Sequence, residues 1–562
     1  MEESAIADGF RNLKNGAEYD NLYYSALCRQ KADWIVGMNC SRLFSVLYNA
    51  SFRVGRVQTP TLAMIVERED KISNFVKESF YIAEIGNGEF TAEREKLKDK
   101  QTADDIADSC NGKTAIVTDI KQQEKFDSSP KLYDLTTLQR EANRLFGYTA
   151  AQTLNCVQNL YEQKIVTYPR TDSRYLTDDM KNSIPALVAA VCGVLPFVNM
   201  NGVPIINASQ VINNAGVSDH HAIIPTPSMP KANLSALPTA EMNILQMIGT
   251  RLVSAVSEKH IYAETVITVE CDGEIFTAKG KTVVKDGWKA IEQAFIKNVG
   301  NARKEVDKSL PELYKGFRFT AQSSVREGFT QPPKHYSEDL LLSAMETAGA
   351  DDMPDDAERK GLGTPATRAA IIETLVKSEF LTRKDKNLFP TDKGVNLIKI
   401  LPKSVKSPML TAEWENHLKR IEKGQLSVDD FMVSINRFIG DIVKTHTAPS
   451  NEHKELFPCN KQAGEIIGMC PRCGNNVTER QKGFFCENKA CKFGLFRDNK
   501  FFTSKKKTIT KEIAKTLLAE GRIFMSGLMS EKTGKPYNIF YRWHFIFADI
   551  NKINSIPFML CL

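Results

Sequence analysis

Apolar positions recur at helical spacing through residues 1–75, with Ala32, Ile35 and Val36 on one face and Leu43, Val46 and Leu47 continuing it. Beyond them the period shortens. Residues 80–84 and 89–92 alternate about Gly86-Asn87-Gly88, and residues 265–270 and 274–278 alternate about Asp272-Gly273, so each set predicts a hairpin. Both end in Phe-Thr-Ala. Two alike hairpins so far apart predict one sheet-containing unit interrupted by an inserted helical segment, 131–262. Within the insertion, Leu135, Leu138, Ala142 and Leu145 line one helix face, Gly147 ends that helix, and Thr149 with Gln152 makes a capping box for the next. Ile165-Val166-Thr167-Tyr168 predicts a short strand closed by Pro169, with Tyr168 at its end. Segment 363–401 repeats the theme: a helix from Thr364-Pro365, two short strands around Lys384-Asp385-Lys386-Asn387, and a helix near Thr391. Both segments read as winged-helix units, which bind DNA in some proteins and serve only as packing modules in others.

Length and composition add bounds. At about 150 residues per unit, 562 residues make roughly four units. A hydrophobic share of 42% with 25% charge fits folded globular domains and excludes wholesale disorder. The most apolar stretch, 184–198, contains Pro185 and Pro196 and is shorter than the roughly 20 residues of a spanning helix, so no membrane anchor is expected. The start, Met1-Glu2-Glu3-Ser4, lacks the basic and apolar regions of a signal peptide. Eight of the twelve cysteines are scattered, which suits a reducing compartment, and a cytoplasmic location is expected. The net charge of +6 is local: residues 470–535 carry 15 Lys/Arg against 6 Asp/Glu, leaving about −3 elsewhere. Phe484, Phe485, Phe493, Phe496, Phe501 and Phe502 interleave with those cations. That mixture suits single-stranded nucleic acid, because bases stack on rings while phosphates attract Lys and Arg; a solvated basic face is the plainer alternative.

Four motifs can carry chemistry. Tyr168-Pro169-Arg170 sets a phenol two residues from a guanidinium, on one side of an extended segment. A free phenol, with a pKa of about 10, is mostly protonated at neutral pH, and a nearby cation favours its ionised, attacking form. A structural Tyr–Arg pair has the same signature. Asp219-His220-His221 heads an apolar run, and because neighbouring strand residues face opposite ways, a phosphate donor or proton carrier fits better than paired metal ligation. Gly361-Leu362-Gly363-Thr364-Pro365-Ala366-Thr367-Arg368 leads a glycine turn into a helix whose N–H groups can hold a phosphate or can simply be capped. Cys470, Cys473, Cys486 and Cys491 have C-x2-C-x12-C-x4-C spacing, suited to tetrahedral zinc. No phosphate-binding nucleotide loop is present: Ala107 stands where Gly112-Lys113-Thr114 would need its first glycine, and Pro536 follows Gly534-Lys535, so ATP is not expected.

Taken in order, Gly55-Arg56-Val57-Gln58-Thr59-Pro60-Thr61, Tyr168-Pro169-Arg170-Thr171-Asp172-Ser173, His220-His221-Ala222-Ile223 and Thr364-Pro365-Ala366-Thr367-Arg368 resemble the type IA DNA topoisomerases, most of all their bacterial topoisomerase III branch. The resemblance covers most of residues 5–538, including Lys31-Ala32-Asp33-Trp34 and the cysteine ribbon. It implies an α+β multidomain chain: a toroidal core with winged-helix, CAP-like helical domains, a β-rich arch and a C-terminal zinc-ribbon-like module. The expected divisions are a helical core segment 1–75, the arch in two parts at 76–130 and 263–320, the tyrosine-bearing winged-helix domain 131–262, a helical core domain 321–450, a basic ribbon module 455–538 and an atypical tail 539–562.

By the same resemblance Tyr168 is the nucleophile that forms a 5′-phosphotyrosine bond with one DNA strand, and Arg170 assists at the scissile phosphate. Arg56, Gln58, His220, His221, Thr367 and Arg368 contact DNA near the break. The tyrosine domain lifts to open a strand gate, and the exchange of esters needs no ATP. Family members begin with a Toprim domain whose acids hold Mg2+. This chain starts about where that domain ends, and Asp351-Asp352 with Asp355-Asp356 reads as a solvated connector. The expected form is a truncated, nucleoid-associated topoisomerase that binds single-stranded DNA but relaxes it poorly unless a separate Toprim polypeptide complements it. An inactive DNA-binding module is the alternative. A tyrosine recombinase fits less well, because its nucleophile normally follows the basic phosphate ligands.

Overall fold

The computed structural model describes residues 7, 9–195, 206–217, 219–300, 310–349, 361–457, 465–488, 490–499, 502–503, 507–529 and 536–542. The chain divides into two compact units, Met1–Phe457 and Pro458–Leu562.

The first unit opens with helix α1 (Asp20–Leu47), which buries Ser25, Cys28, Ala32, Val36, Cys40 and Phe44. Spacings of three and four put all six on one face. Helix α2 (Gln58–Ser73) follows. The chain then enters a sheet with β1 (Ser79–Gly86), β2 (Thr91–Glu93), helix α3 (Lys100–Cys110) and β3 (Thr114–Asp127). It leaves for α4 (Leu135–Phe146), α5 (Ala150–Glu162), α6 (Ile184–Val194) and α7 (Thr239–Val256). It returns as β4 (His260–Cys271), β5 (Glu274–Lys285), helix α8 (Trp288–Asn298), β6 (Arg318–Thr320) and β7 (Gln322–Phe329).

The seven strands form one antiparallel sheet in the order β6-β3-β4-β5-β2-β1-β7. Both expected hairpins belong to it, closing at Gly86↔Thr91 and Cys271↔Glu274, and β2 joins them through Glu93↔Thr277. The helical excursion has its own core of Leu135, Leu138, Ala142, Val157, Leu160, Ile248 and Leu252 among others. Gly147 ends α4 in the left-handed conformation, φ 73°, which glycine adopts without a Cβ penalty. Thr149 and Gln152 form the capping box of α5.

After the sheet come α9 (Glu338–Thr347), α10 (Pro365–Lys377), the hairpin β8 (Leu381–Lys384) and β9 (Asn387–Pro390), then α11 (Asp392–Ile400), α12 (Pro408–Glu422) and α13 (Val428–Thr445). They share a core with α1 and α2, so the N-terminal helices pack against the last helices of the unit. The stretch around Asp351-Asp352 and Asp355-Asp356 lies outside the described residues.

The second unit holds a sheet of β10 (Ile466–Met469), β11 (Asn476–Arg480), β12 (Gly483–Cys486) and β13 (Gly494–Phe496), helix α14 (Lys511–Glu520), and a hairpin of β14 (Arg522–Met529) and β15 (Pro536–Arg542). The expected boundary at 539 does not interrupt β15, for Ile539 pairs with Met525 and Tyr541 with Ile523. Among the described residues no helix is long and apolar enough to cross a membrane.

Candidate active site and cysteine cluster

Helix α5 leads to the tyrosine loop. Lys164 takes a left-handed turn, φ 61°, and the next residues run beside 222–226. Thr167 N–H donates to the Ile224 carbonyl and Thr226 N–H to the Ile165 carbonyl, each at 2.9 Å. The expected strand is reduced to a single bridge, Val166 with Pro225, because proline has no N–H to extend the ladder. The Thr167 hydroxyl takes up the loose ends, accepting from Ile224 N–H at 3.0 Å and donating to the Ala222 carbonyl at 3.2 Å.

Tyr168 is partly buried between two rings: Tyr161 of α5 lies edge-on at 5.3 Å, and His220 is tilted 48° at 4.5 Å. Arg170 is exposed. Thr171 then fixes the loop, its hydroxyl donating to the His220 carbonyl at 2.8 Å and its carbonyl accepting Leu135 N–H at 3.1 Å. Arg174 closes the anchor on Asp134, the N-cap of α4, at 2.6 Å. His221 Nδ1 lies 2.8 Å from the Ala222 carbonyl. A carbonyl only accepts, so Nδ1 carries the proton and Nε2 is left for another partner.

Arg368 approaches the same helix end from α10. It is 3% exposed; Nε donates to the Leu362 carbonyl at 3.2 Å and a terminal nitrogen to Thr136 Oγ1 at 2.9 Å. Burial pulls its pKa down, against the opposing charges of Glu346 and Asp134. Thr367, exposed, accepts Thr364 N–H at 2.9 Å in a capping box. The turn before it requires Gly361, φ 64°, where a Cβ would stand 2.2 Å from the Met345 carbonyl oxygen.

Arg56 and Gln58 sit at the junction of α1 and α2. Arg56 is 6% exposed and forks onto Asp33 at 2.7 and 3.2 Å while donating to Glu415 at 2.9 Å. Arg29 reaches the same Glu415 oxygen at 2.5 Å. Gln58 folds back over Gly55, where a Cβ would lie 2.9 Å from Nε2. A Cβ at Gly363 would lie 3.5 Å from Val57 and 3.2 Å from the Thr367 hydroxyl, so these two motifs are neighbours.

The tertiary structure therefore puts Tyr168 against His220 and brings Arg368 to the helix end that anchors Thr171. It turns Arg56 toward carboxylates. Sequence reading passed over Tyr161, Asp134, Thr136 and Arg174. Asp134 carried a legible N-cap signal, but its pairing with Arg174 depends on the fold.

In the second unit the four cysteine sulfurs all lie within 4.8 Å of one another. Cys470 and Cys491 are 3.6 Å apart, and Cys473 and Cys486 are 3.4 Å apart. Tetrahedral zinc with Zn–S of about 2.3 Å sets sulfurs roughly 3.8 Å apart, so the residues fit a metal of that kind. The amide of Asn475 draws the Cys473 thiol down to about 6, whereas burial pushes Cys486 up to about 12. Phe484, Phe493 and Phe502 are core residues here and cannot serve as the expected stacking surface. Phe496, 53% exposed, keeps that capacity beside Phe485 at 5.2 Å, and Phe501 lies outside the described residues.

A family model for DNA topoisomerase matches residues 17–433. The fold resembles full-length topoisomerase I of Thermotoga maritima, with a TM-score of 0.62 at 21% identity over 87% of this chain and 78% of that one. The chain belongs to the type IA DNA topoisomerase family. Within it the chain is similar to DNA topoisomerase 3 of Bacillus licheniformis, at 38% identity, and of Bacillus subtilis, at 37%, each match covering 87% of this chain and 69% of the relative.

Proposed function

We propose that Tyr168 is the nucleophile of a topoisomerase III-like strand-passage reaction on single-stranded DNA. One observation carries this reading: the phenol stands at a loop tied to α4, between Tyr161 and His220, with Arg170 exposed two residues further along the chain. Its oxygen attacks phosphorus, the P–O3′ bond breaks, the phenol proton ends on the released 3′-hydroxyl, and the 5′-phosphate stays on Tyr168. The reverse attack reseals the strand, conserving bond energy. Arg170 stabilises the added negative charge, and His220, His221, Gln58, Thr367, Arg56 and Arg368 line or support the path of the DNA. Opening of a strand gate, by movement of residues 131–262 away from the helical core, lets another strand pass. Such work places the chain at the nucleoid.

Cys470, Cys473, Cys486 and Cys491 would hold a structural zinc, which fixes the ribbon fold and supplies no step of the reaction. Mg2+ is different. Among the described residues the four cysteines are the only cluster of three or more metal-ligating side chains, so no acidic set of that size stands at the tyrosine loop. On our reading the acids that hold it in this family come from outside the described residues, a complementing Toprim polypeptide included.

The test uses labelled single-stranded oligonucleotide and a detergent quench. The chain binds the strand by itself and forms a covalent adduct with Mg2+ when a Toprim polypeptide is supplied; Tyr168→Phe binds but forms none. Robust Mg2+-dependent relaxation by the chain alone would contradict the need for outside acids, and an adduct that survives Tyr168→Phe would remove Tyr168 as nucleophile.

A further inference from the structure

The start of α9 meets the α4–α5 pair through charged and polar groups set beside an apolar contact, for Ala150 shares a buried core with Leu341 and Leu342. Asp339 accepts from Arg140 Nε at 3.0 Å and Arg144 Nε at 3.3 Å, and its own N–H donates to Asn143 Oδ1 at 3.2 Å. Glu338, 2% exposed, accepts the N–H of Ala150 at 2.7 Å. Its other oxygen is held by Arg383 at 2.9 Å. The first N–H groups of a helix have no partner within it. In α5 the capping box satisfies two donors of this turn, those of Thr149 and Gln152, and Glu338 supplies the partner of Ala150 from a different part of the chain.

Two features make this contact reversible. Parting it returns carboxylates and guanidinium groups to water, and their hydration offsets much of the interaction lost. Arg140 and Arg144, one helical turn apart, are also partly open to solvent on their outer side. Two guanidinium groups that converge on one carboxylate suit a phosphate equally well.

We propose that Glu338 and Asp339 form a catch that holds the tyrosine-bearing helices against α9, and that a nucleic-acid phosphate releases it by taking the place of Asp339 on Arg140 and Arg144. This rests on the strand-gate reading above. Opening then follows from substrate binding: the strand that is to be cut loosens the contact that keeps the strand gate closed.

Hydrogen exchange at the Ala150 amide, in the full chain, tests the catch, because that N–H is bonded to Glu338 and not to the residue changed. In the wild type exchange is slow. Asp339→Asn speeds it at least tenfold while amides of β4 paired with β3 keep their rates. A thymidine oligonucleotide speeds it in the wild type and adds little in the variant. Should β4 also lose protection, Arg144→Gln weakens the same pair from the other side and replaces the first variant. Unchanged exchange in a folded variant overturns the catch, and an oligonucleotide that slows or leaves wild-type exchange overturns the release. Fluorescence anisotropy separates the two readings: failure to bind the oligonucleotide sinks the release together with the DNA reading, while Asp339→Asn still decides the catch.

Discussion

The guanidinium of Arg368 donates to the hydroxyl of Thr136 at 2.9 Å, joining positions 232 residues apart. Thr136 lies in the first turn of α4, next to Leu135, whose N–H holds the Thr171 carbonyl three residues after Tyr168. Helix α10 and the tyrosine loop thus share one anchor.

Arg368→Met tests what that anchor is for. A buried cation with two neutral acceptors adds little stability, because its desolvation offsets its hydrogen bonds, and a flexible apolar chain fills similar space. Thermal unfolding is expected to change by no more than about 1 kcal/mol. Affinity for single-stranded DNA is expected to fall severalfold in a titration followed by anisotropy. A large loss of stability with unchanged affinity would reverse the assignment.

Arg56→Gln should behave in the opposite way. The guanidinium bridges the carboxylates of Asp33 and Glu415, and removing it takes this cation from Asp33 and leaves Glu415 to Arg29. Asp33 is partly hydrated, so the penalty is smaller than for a fully buried pair, about 2 to 3 kcal/mol. Denaturant unfolding measures it. If stability is untouched while DNA binding collapses, Arg56 acts on DNA and not on the α1–α2 junction.

The cysteine cluster predicts one zinc per chain and none after Cys473→Ser with Cys486→Ser. Because ligands held by metal stabilise only the folded ribbon, chelation should release the packing of Phe484, Phe493 and Phe502. Elemental analysis and exchange mass spectrometry of residues 465–529 read the two effects. Full metal content in the double variant would disprove the ligand set.

Glu292 supplies a pH test. Burial pushes its carboxyl up, against the pull of Arg251. The folded chain then binds this proton more tightly than the unfolded chain, so the ionised group opposes folding above the raised value, and the effect vanishes below the ordinary carboxylate value of about 4.3. Glu292→Gln should raise the unfolding temperature at pH 7.5 by about 1 to 3 °C. The gain should shrink toward zero near pH 4. Scans at the two pH values check the sign.

Local pattern was enough for much of this protein. The capping box at Thr149 and Gln152, the stop at Gly147, both hairpins and the helix–hairpin–helix of 363–401 depend on residues a few positions apart, where turn chemistry and periodicity act directly. The motifs around Tyr168, His220 and Thr367 were legible for the same reason, as was the spacing of the four cysteines. Tertiary packing decided the rest. It reduced the strand at 165–168 to one bridge because the partner is Pro225, and it buried three of the ribbon phenylalanines because a small unit needs them for its core. It also turned Arg56 to Asp33 and Glu415 and set Asp339 between Arg140 and Arg144. An arginine's partner is chosen by which distant carboxylate the fold carries to it, and no short window of sequence contains that choice.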